Sequence, residues 1–195
     1  MTECLKLFSL SGLSGVPLQN AVDEQFPNGE CEIVNVSEHS PGPVGAHEAL
    51  VRLIFNPIHV DGSGQVVSVA FNDAWTSDLS VFRDEMASDQ EILHAIEQIK
   101  MTGLQKNPPR ERHVVQVRSA RTVAVRKEIL PKSQTQAFRV YDTAEADKPH
   151  HASVFLTKAA RDELTEKSTR KRLFELFSTV ANNYRGGRFI NQKAV

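Results

Sequence analysis

Apolar positions along this chain alternate in some stretches and recur at steps of three and four in others, and each habit predicts a different element. From Glu48 to Phe55 they crowd together, and the run Gln65-Val66-Val67-Ser68-Val69-Ala70-Phe71 is rich in β-branched residues. Between these runs, Asp61-Gly62-Ser63-Gly64 supplies residues that tolerate positive φ, so a β-hairpin is expected. Ser88-Asp89-Gln90-Glu91 can cap a helix with apolar positions at Ile92, Ile96 and Ile99 and a stop at Gly103, which places a helix near 89–101. Val114 to Arg118 and Thr122 to Val125 alternate as strands do, with Ser119-Ala120 dividing them into a pair. Phe138 to Tyr141 and Ala152 to Leu156 predict two more strands around a polar, proline-containing loop.

The last pattern starts at Thr157, whose hydroxyl can satisfy an orphan backbone N–H, and runs through Leu164, Leu173, Phe174, Leu176, Phe177 and Val180. It predicts a long helix near 157–183, with Ser168-Thr169 as the point where it could divide. Residues 11–43 are loosely patterned and rich in Gly, Pro, Ser and Asn; within them only Glu32 to Val36 alternates like a short strand. Clustered strands with helices at separate positions predict an α+β fold, with a mixed or antiparallel sheet of about five to seven strands. At 195 residues and 40% hydrophobic content, one domain spanning 1–195 is expected, ending in a basic tail over 184–195.

Charge changes the picture. Residues 1–99 hold three Lys and Arg (Lys6, Arg52, Arg83) against fifteen Asp and Glu, whereas 100–195 hold twenty against nine. The halves are near −12 and +11, although the sum is only −1. Such asymmetry points either to a polyanionic partner or to two halves that dock on each other. Cys4 and Cys31 are the two cysteines, without C-x-x-C spacing, and free thiols in a reducing compartment are expected of them. The start lacks a basic region followed by a sustained apolar run, and no apolar stretch approaches the roughly 20 residues that span a bilayer. These readings predict a soluble cytoplasmic protein with no membrane partner.

The densest chemistry lies in Arg139-Val140-Tyr141-Asp142-Thr143 and Asp147-Lys148-Pro149-His150-His151-Ala152-Ser153. A strand-end histidine facing a carboxylate can act as base or acid, which makes His150, His151 and Asp142 the catalytic candidates, and Arg139, Asp142 and His151 the ligand-binding ones. Adjacent histidines in a strand point to opposite faces and would not grip one ion together. The competing reading is structural: carboxylates satisfying loop N–H groups and one histidine pinning the loop.

The segment Phe138 to Val154 resembles one found in small bacterial proteins without an assigned activity, in which an Asp, a Pro and a His-Ala pair follow a short strand. The resemblance covers under a tenth of the chain. It implies a bacterial source and directs attention to Asp142, Pro149 and His151.

Asp78 to Glu85 places Arg83 among carboxylates, where a surface ion pair worth about 0–1 kcal/mol is the expectation. Ser80 lacks a G-x-S-x-G elbow and an evident base, so no nucleophile is expected there. His39, His47, His59 and His94 match no metal spacing, and Asp61-Gly62-Ser63-Gly64 lacks the end of a phosphate loop; neither a metal nor a cofactor such as ATP or NAD is expected.

Three groups of cations could contact nucleic acid: Lys106, Arg110 and Arg112; Arg118, Arg121, Arg126 and Lys127; and Arg161, Lys167, Arg170, Lys171, Arg172, Arg185 and Arg188, with Tyr184 or Phe189 to stack on bases. The leading expectation is a non-enzymatic interaction or regulatory domain, its acidic and basic halves in register, forming a homodimer or meeting a protein partner. An RNA- or DNA-binding protein using the basic helix and tail is the second expectation. A small hydrolase or phosphoryl-handling enzyme at Arg139, Asp142, His150 and His151 is the third.

Overall fold

The computed structural model describes residues 2–180. Its strands are β1 Ala49–Asn56, β2 Leu79–Arg83, β3 His113–Arg121, β4 Phe138–Tyr141, β5 His151–Leu156 and β6 Thr179–Val180. They form one antiparallel sheet in the order β4-β5-β2-β1-β3-β6. The helices are α1 Glu3–Leu10, α2 Gly15–Gln25, α3 Asp73–Thr76, α4 Asp89–Leu104, α5 Thr122–Arg126, α6 Lys158–Glu163 and α7 Glu166–Leu176. The α+β class with an antiparallel sheet is therefore the observed one.

Period-two alternation divides the sheet's two faces. Leu50, Ile54, Leu79, Val81, Val140 and Val154 point to one face, where Leu173 of α7, the adjoining Phe177 and Phe71 pack on them. The opposite face is covered in two patches. Val51, Leu53, Phe55, Phe82 and Val117 meet Ile92, Ala95 and Ile96 of α4. At the β4–β5 end, Tyr141 and Phe155 meet Leu7 of α1 and Leu18 and Val22 of α2. Helix α4 starts where Ser88 accepts a hydrogen bond from the Glu91 N–H (3.2 Å), as its sequence predicts.

Several sequence expectations are corrected. The Asp61 turn forms, but 65–71 is not the second arm of a hairpin: Val60 and Val66 make a single bridge and Ser68–Phe71 turns into a 3₁₀ helix. Consecutive burial of Ala70 and Phe71 is incompatible with a strand that has one wet face, and β1 pairs instead with β2 and β3. The divided strand pair at 114–125 is one strand, β3, because Ser119 and Ala120 pair with Val51 and Leu50; Thr122 and Val125 are buried three apart on α5. In place of the one helix expected over 157–183, the described residues form two, capped by Thr157 and by Thr165, of which the second ends at Leu176; Thr179–Val180 is strand rather than helix because it pairs with β3. Thr165 accepts from the Ser168 N–H and its own N–H donates to the Ser168 hydroxyl, so the break falls at Leu164–Thr165 rather than at Ser168-Thr169.

The segment 11–43 is ordered by α2 and by a 3₁₀ turn, Glu30–Ile33, where a strand was expected. Cys4 and Cys31 form a disulfide, which overturns the expectation of free thiols and removes the ground on which a reducing compartment was inferred. Among the described residues, no helix is long and apolar enough to cross a membrane.

Candidate active site at a serine–histidine pair

Ser80 lies on β2 and His151 opens β5, and the pairing of these strands sets Phe82 opposite His151 and Ser80 opposite Ser153. All four side chains therefore share the face that carries α4, between its two apolar patches. Ser80 Oγ lies 2.6 Å from His151 Nε2. His151 Nδ1 lies 3.1 Å from the carbonyl oxygen of Thr143 and 3.0 Å from its hydroxyl.

A carbonyl can only accept, so Nδ1 carries the proton and Nε2 presents a lone pair to the Ser80 hydroxyl. Further along, Thr143 Oγ1 is 2.8 Å from Ser153 Oγ, and Ser153 donates to Asp78 Oδ2 at 2.6 Å. With a carboxylate closing the chain, every donor from Ser80 through His151, Thr143 and Ser153 points towards Asp78. Burial is the main influence lowering the His151 pKa below its ordinary 6.5, opposed by the Thr143 backbone bond and the charges of Glu145 and Asp78. The imidazole is thus neutral and held in the tautomer that a base for Ser80 requires.

The reason space exists beside Ser80 is a gap in the sheet. Pairing between β1 and β2 ends at Val51 and Phe82, and the Arg52 guanidinium takes the place of the missing strand bonds. It donates to the carbonyls of Ser80 (2.9 Å) and Ala70 (3.2 Å) and to Asp73 (2.5 Å). A cavity of about 470 Å³ opens there, within the size range of small-molecule sites. Its polar walls are Arg52, His59, Asp73, Ser80, Arg112 and Lys148, and its apolar walls include Leu53, Phe55, Phe82 and Ile99. A second cleft of about 240 Å³ reaches His151 from the side of Asp78, Thr143 and Ser153.

The residues singled out from sequence do not share one constellation. Arg139 is buried and donates to Glu32 (3.3 Å), Gln136 (2.7 Å) and the Pro27 carbonyl (2.7 Å). Asp142 is buried against Ser40 and Arg83; burial pushes its carboxyl up while Ser40 and Arg83 oppose that. His150 is clasped by Glu91 of α4, which accepts from its N–H at 2.8 Å and meets its Nδ1 at 2.8 Å. Of these four, His151 alone belongs to the Ser80 network. Arg83 is not a surface partner of nearby acids but a buried one, bonded to Glu48 (2.6 Å) and the Gly42 carbonyl (2.7 Å).

Among the described residues, seven of the twelve cations named for nucleic acid are engaged within the chain: Arg118, Arg121, Arg126, Arg161, Arg170, Lys171 and Arg172. Arg161 lies over Trp75 and donates to its carbonyl and to Gln19, while Arg170, Lys171 and Arg172 pair with Glu166, Glu175 and Glu128. Lys167 lies on the first turn of α7. Arg185 and Arg188, with Tyr184 and Phe189, lie outside the described residues. The unlike halves meet in pairs: Glu32 with Arg126 and Arg139, Glu85 with Arg121, and Glu24 with Lys158. Among the described residues no group of three metal-ligating side chains forms.

The expectation that Ser80 has no base is corrected by His151, which lies 71 positions away in the chain. The signal that would have found it is strand register, which only the fold supplies. Comparison with family models gives no match, and comparisons with curated proteins and with solved structures give none either.

Proposed function

We propose that the protein is a serine hydrolase that cleaves an acyl ester bound in the cavity, with Ser80 as nucleophile and His151 as its base. The observation that carries this reading is the 2.6 Å Ser80–His151 contact, in the productive tautomer, with Ser80 on the wall of the cavity of about 470 Å³. A hydroxyl is a weak nucleophile until a positioned base takes its proton, and this pair meets the geometric requirement of hydrogen-bond reach plus a group that orients the base.

In the first step Ser80 Oγ bonds to the acyl carbon while its proton passes to His151 Nε2. The ester C–O bond breaks and the departing alkoxide takes that proton, leaving an acyl-serine. In the second step water gives a proton to Nε2 and its oxygen bonds to the acyl carbon. The acid leaves and Ser80 Oγ recovers its proton. Thr143 O, accepting from Nδ1–H, keeps the ring in place as charge appears on it, and Asp78 at the end of the hydroxyl chain favours that charge. The cations that line the cavity supply positive potential where the tetrahedral oxyanion forms.

The test is turnover of p-nitrophenyl acyl esters. Wild type should hydrolyse them, Ser80→Ala should lose the activity, and His151→Ala should lower kcat by about 10²–10⁴-fold. Wild-type turnover by Ser80→Ala would overturn the reading. The interaction-domain, homodimer and nucleic-acid readings draw less support, since much of the charge that motivated them is paired within the chain. With Cys4 and Cys31 joined, a compartment that preserves disulfides fits the protein better than a reducing cytoplasm.

A further inference from the structure

The cavity beside Ser80 holds donors that the protein itself does not use. His59 is 8% exposed, and its Nδ1 accepts the Phe55 N–H at 3.1 Å. Its proton is therefore on Nε2, and that N–H has no hydrogen-bond partner among the described residues although His59 forms part of the cavity wall. The Arg112 guanidinium on the same wall likewise has no hydrogen-bond or ion-pair partner among the described residues, and its Nε is buried. Buried donors are normally satisfied, and those left over on a cavity wall are where a ligand's acceptors go.

The sign of the field agrees. Arg52, Arg112 and Lys148 face the cavity; Arg52 is paired with Asp73, the one carboxylate on the wall, and Lys148 with Glu145 (2.8 Å), so Arg112 is the main source of the wall's positive charge. His59 registers this field: its pKa is pulled down to about 4, first by burial and then by the charges of Arg52 and Arg112, with Asp73 acting the other way. The remaining wall is apolar, with Leu53, Phe55, Ile58 and Ile99 opposite the donors in kind. A ligand that satisfies both parts has an anionic head and an aliphatic or aromatic body.

We infer that this cavity binds small amphiphilic anions, a carboxylate or phosphate head taken by Arg112 and the His59 Nε2–H and an apolar body lying along Leu53, Phe55 and Ile99. The inference rests on the same cavity as the hydrolase reading and names its substrate class: esters that carry a negative charge. It does not depend on Ser80 acting as a nucleophile.

Titration calorimetry on the full chain tests it, with octanoate, octyl phosphate and octylamine as probes, and with Ser80→Ala, Arg112→Ala and Lys148→Ala beside wild type. Octanoate or octyl phosphate should bind wild type and Ser80→Ala alike, and octylamine should not. Arg112→Ala should weaken the anions about 10- to 100-fold, as expected when a bond to a charged group is lost, and Lys148→Ala should weaken them less. The tighter of the two anions identifies the head group. Binding of octylamine as tight as that of the anions, anion binding unchanged in both cation variants, or no binding of either anion would overturn the inference. Because binding is read on Ser80→Ala, intact anion binding with full ester turnover by Ser80→Ala, or with no turnover by wild type, defeats only the hydrolase reading, and Ser80-dependent turnover without anion binding defeats only this one.

Discussion

The two patches on the α4 side of the sheet handle buried polar groups in opposite ways. At the β4–β5 end, Glu32 is 7% exposed and surrounded by donors: the Val140 N–H at 2.8 Å, Arg126 Nε at 2.8 Å and Arg139 Nη1 at 3.3 Å. Gly29 is part of this packing, since its φ of +79° is left-handed and a Cβ there would collide with the Arg139 guanidinium. The Cys4–Cys31 disulfide ties the region shut. Under α4 the sheet parts instead, and His59 and Arg112 stand on a cavity wall with donors to spare. Charges that share a buried carboxylate hold a fold together; donors left over beside an open space are available for a ligand. Arg139 and His151, grouped by sequence proximity, belong to these different regimes.

Removing a partner on the closed side should have the largest effect. Glu32→Ala leaves two guanidinium groups without their shared carboxylate and should cost about 3–5 kcal/mol in urea unfolding. A loss under 1 kcal/mol would erase the contrast between the regions. Next, reducing Cys4–Cys31, which closes a loop across a sequence separation of 27, should destabilise by roughly 3–4 kcal/mol, read as a lower urea midpoint with dithiothreitol.

On the open side the effects are pH-dependent or small. His59 has a pKa of about 4 in the fold against 6.5 when free, with Arg52, Arg112 and Asp73 as its charged neighbours. Between those values the unfolded chain binds a proton that the folded chain does not. Stability is therefore full above about pH 6.5, falls as pH drops towards 4 and levels off below that, by roughly 3 kcal/mol in all. The part due to His59 should disappear in His59→Gln. Arg112→Ala, which breaks no hydrogen bond among the described residues, should change stability by less than about 0.5 kcal/mol while weakening anion binding. A large loss of stability there would show that Arg112 belongs to the structural regime.

Elements that carried both periodicity and a local end signal could be read from sequence. Helix α4 was, because Ser88 caps it and Ile92 and Ile96 recur on one face; β4 and β5 were, because their apolar residues are continuous and bounded by a polar loop. Helices α1 and α2 were not, since Cys4, Leu7, Leu18 and Val22 are too sparse to signal a face and are held by contacts with Tyr141 and Phe155 far along the chain. Half of the site was visible in His151. Its partner was not, because Ser80, Thr143 and Asp78 join it only through the register of β2 on β5 and the loop that follows β4. The charge division was plain from sequence, but its outcome in pairs such as Glu32 with Arg126 and Arg139 depends on strand order.

The central claim is that His151 activates Ser80, and capture by a fluorophosphonate reads it directly. Treated at neutral pH and mapped by peptide mass, the wild-type chain should carry one phosphonyl adduct on Ser80, and His151→Ala should remain unlabelled over the same time. Adducts elsewhere but not on Ser80, or equal labelling of Ser80 with and without the His151 ring, would contradict the account.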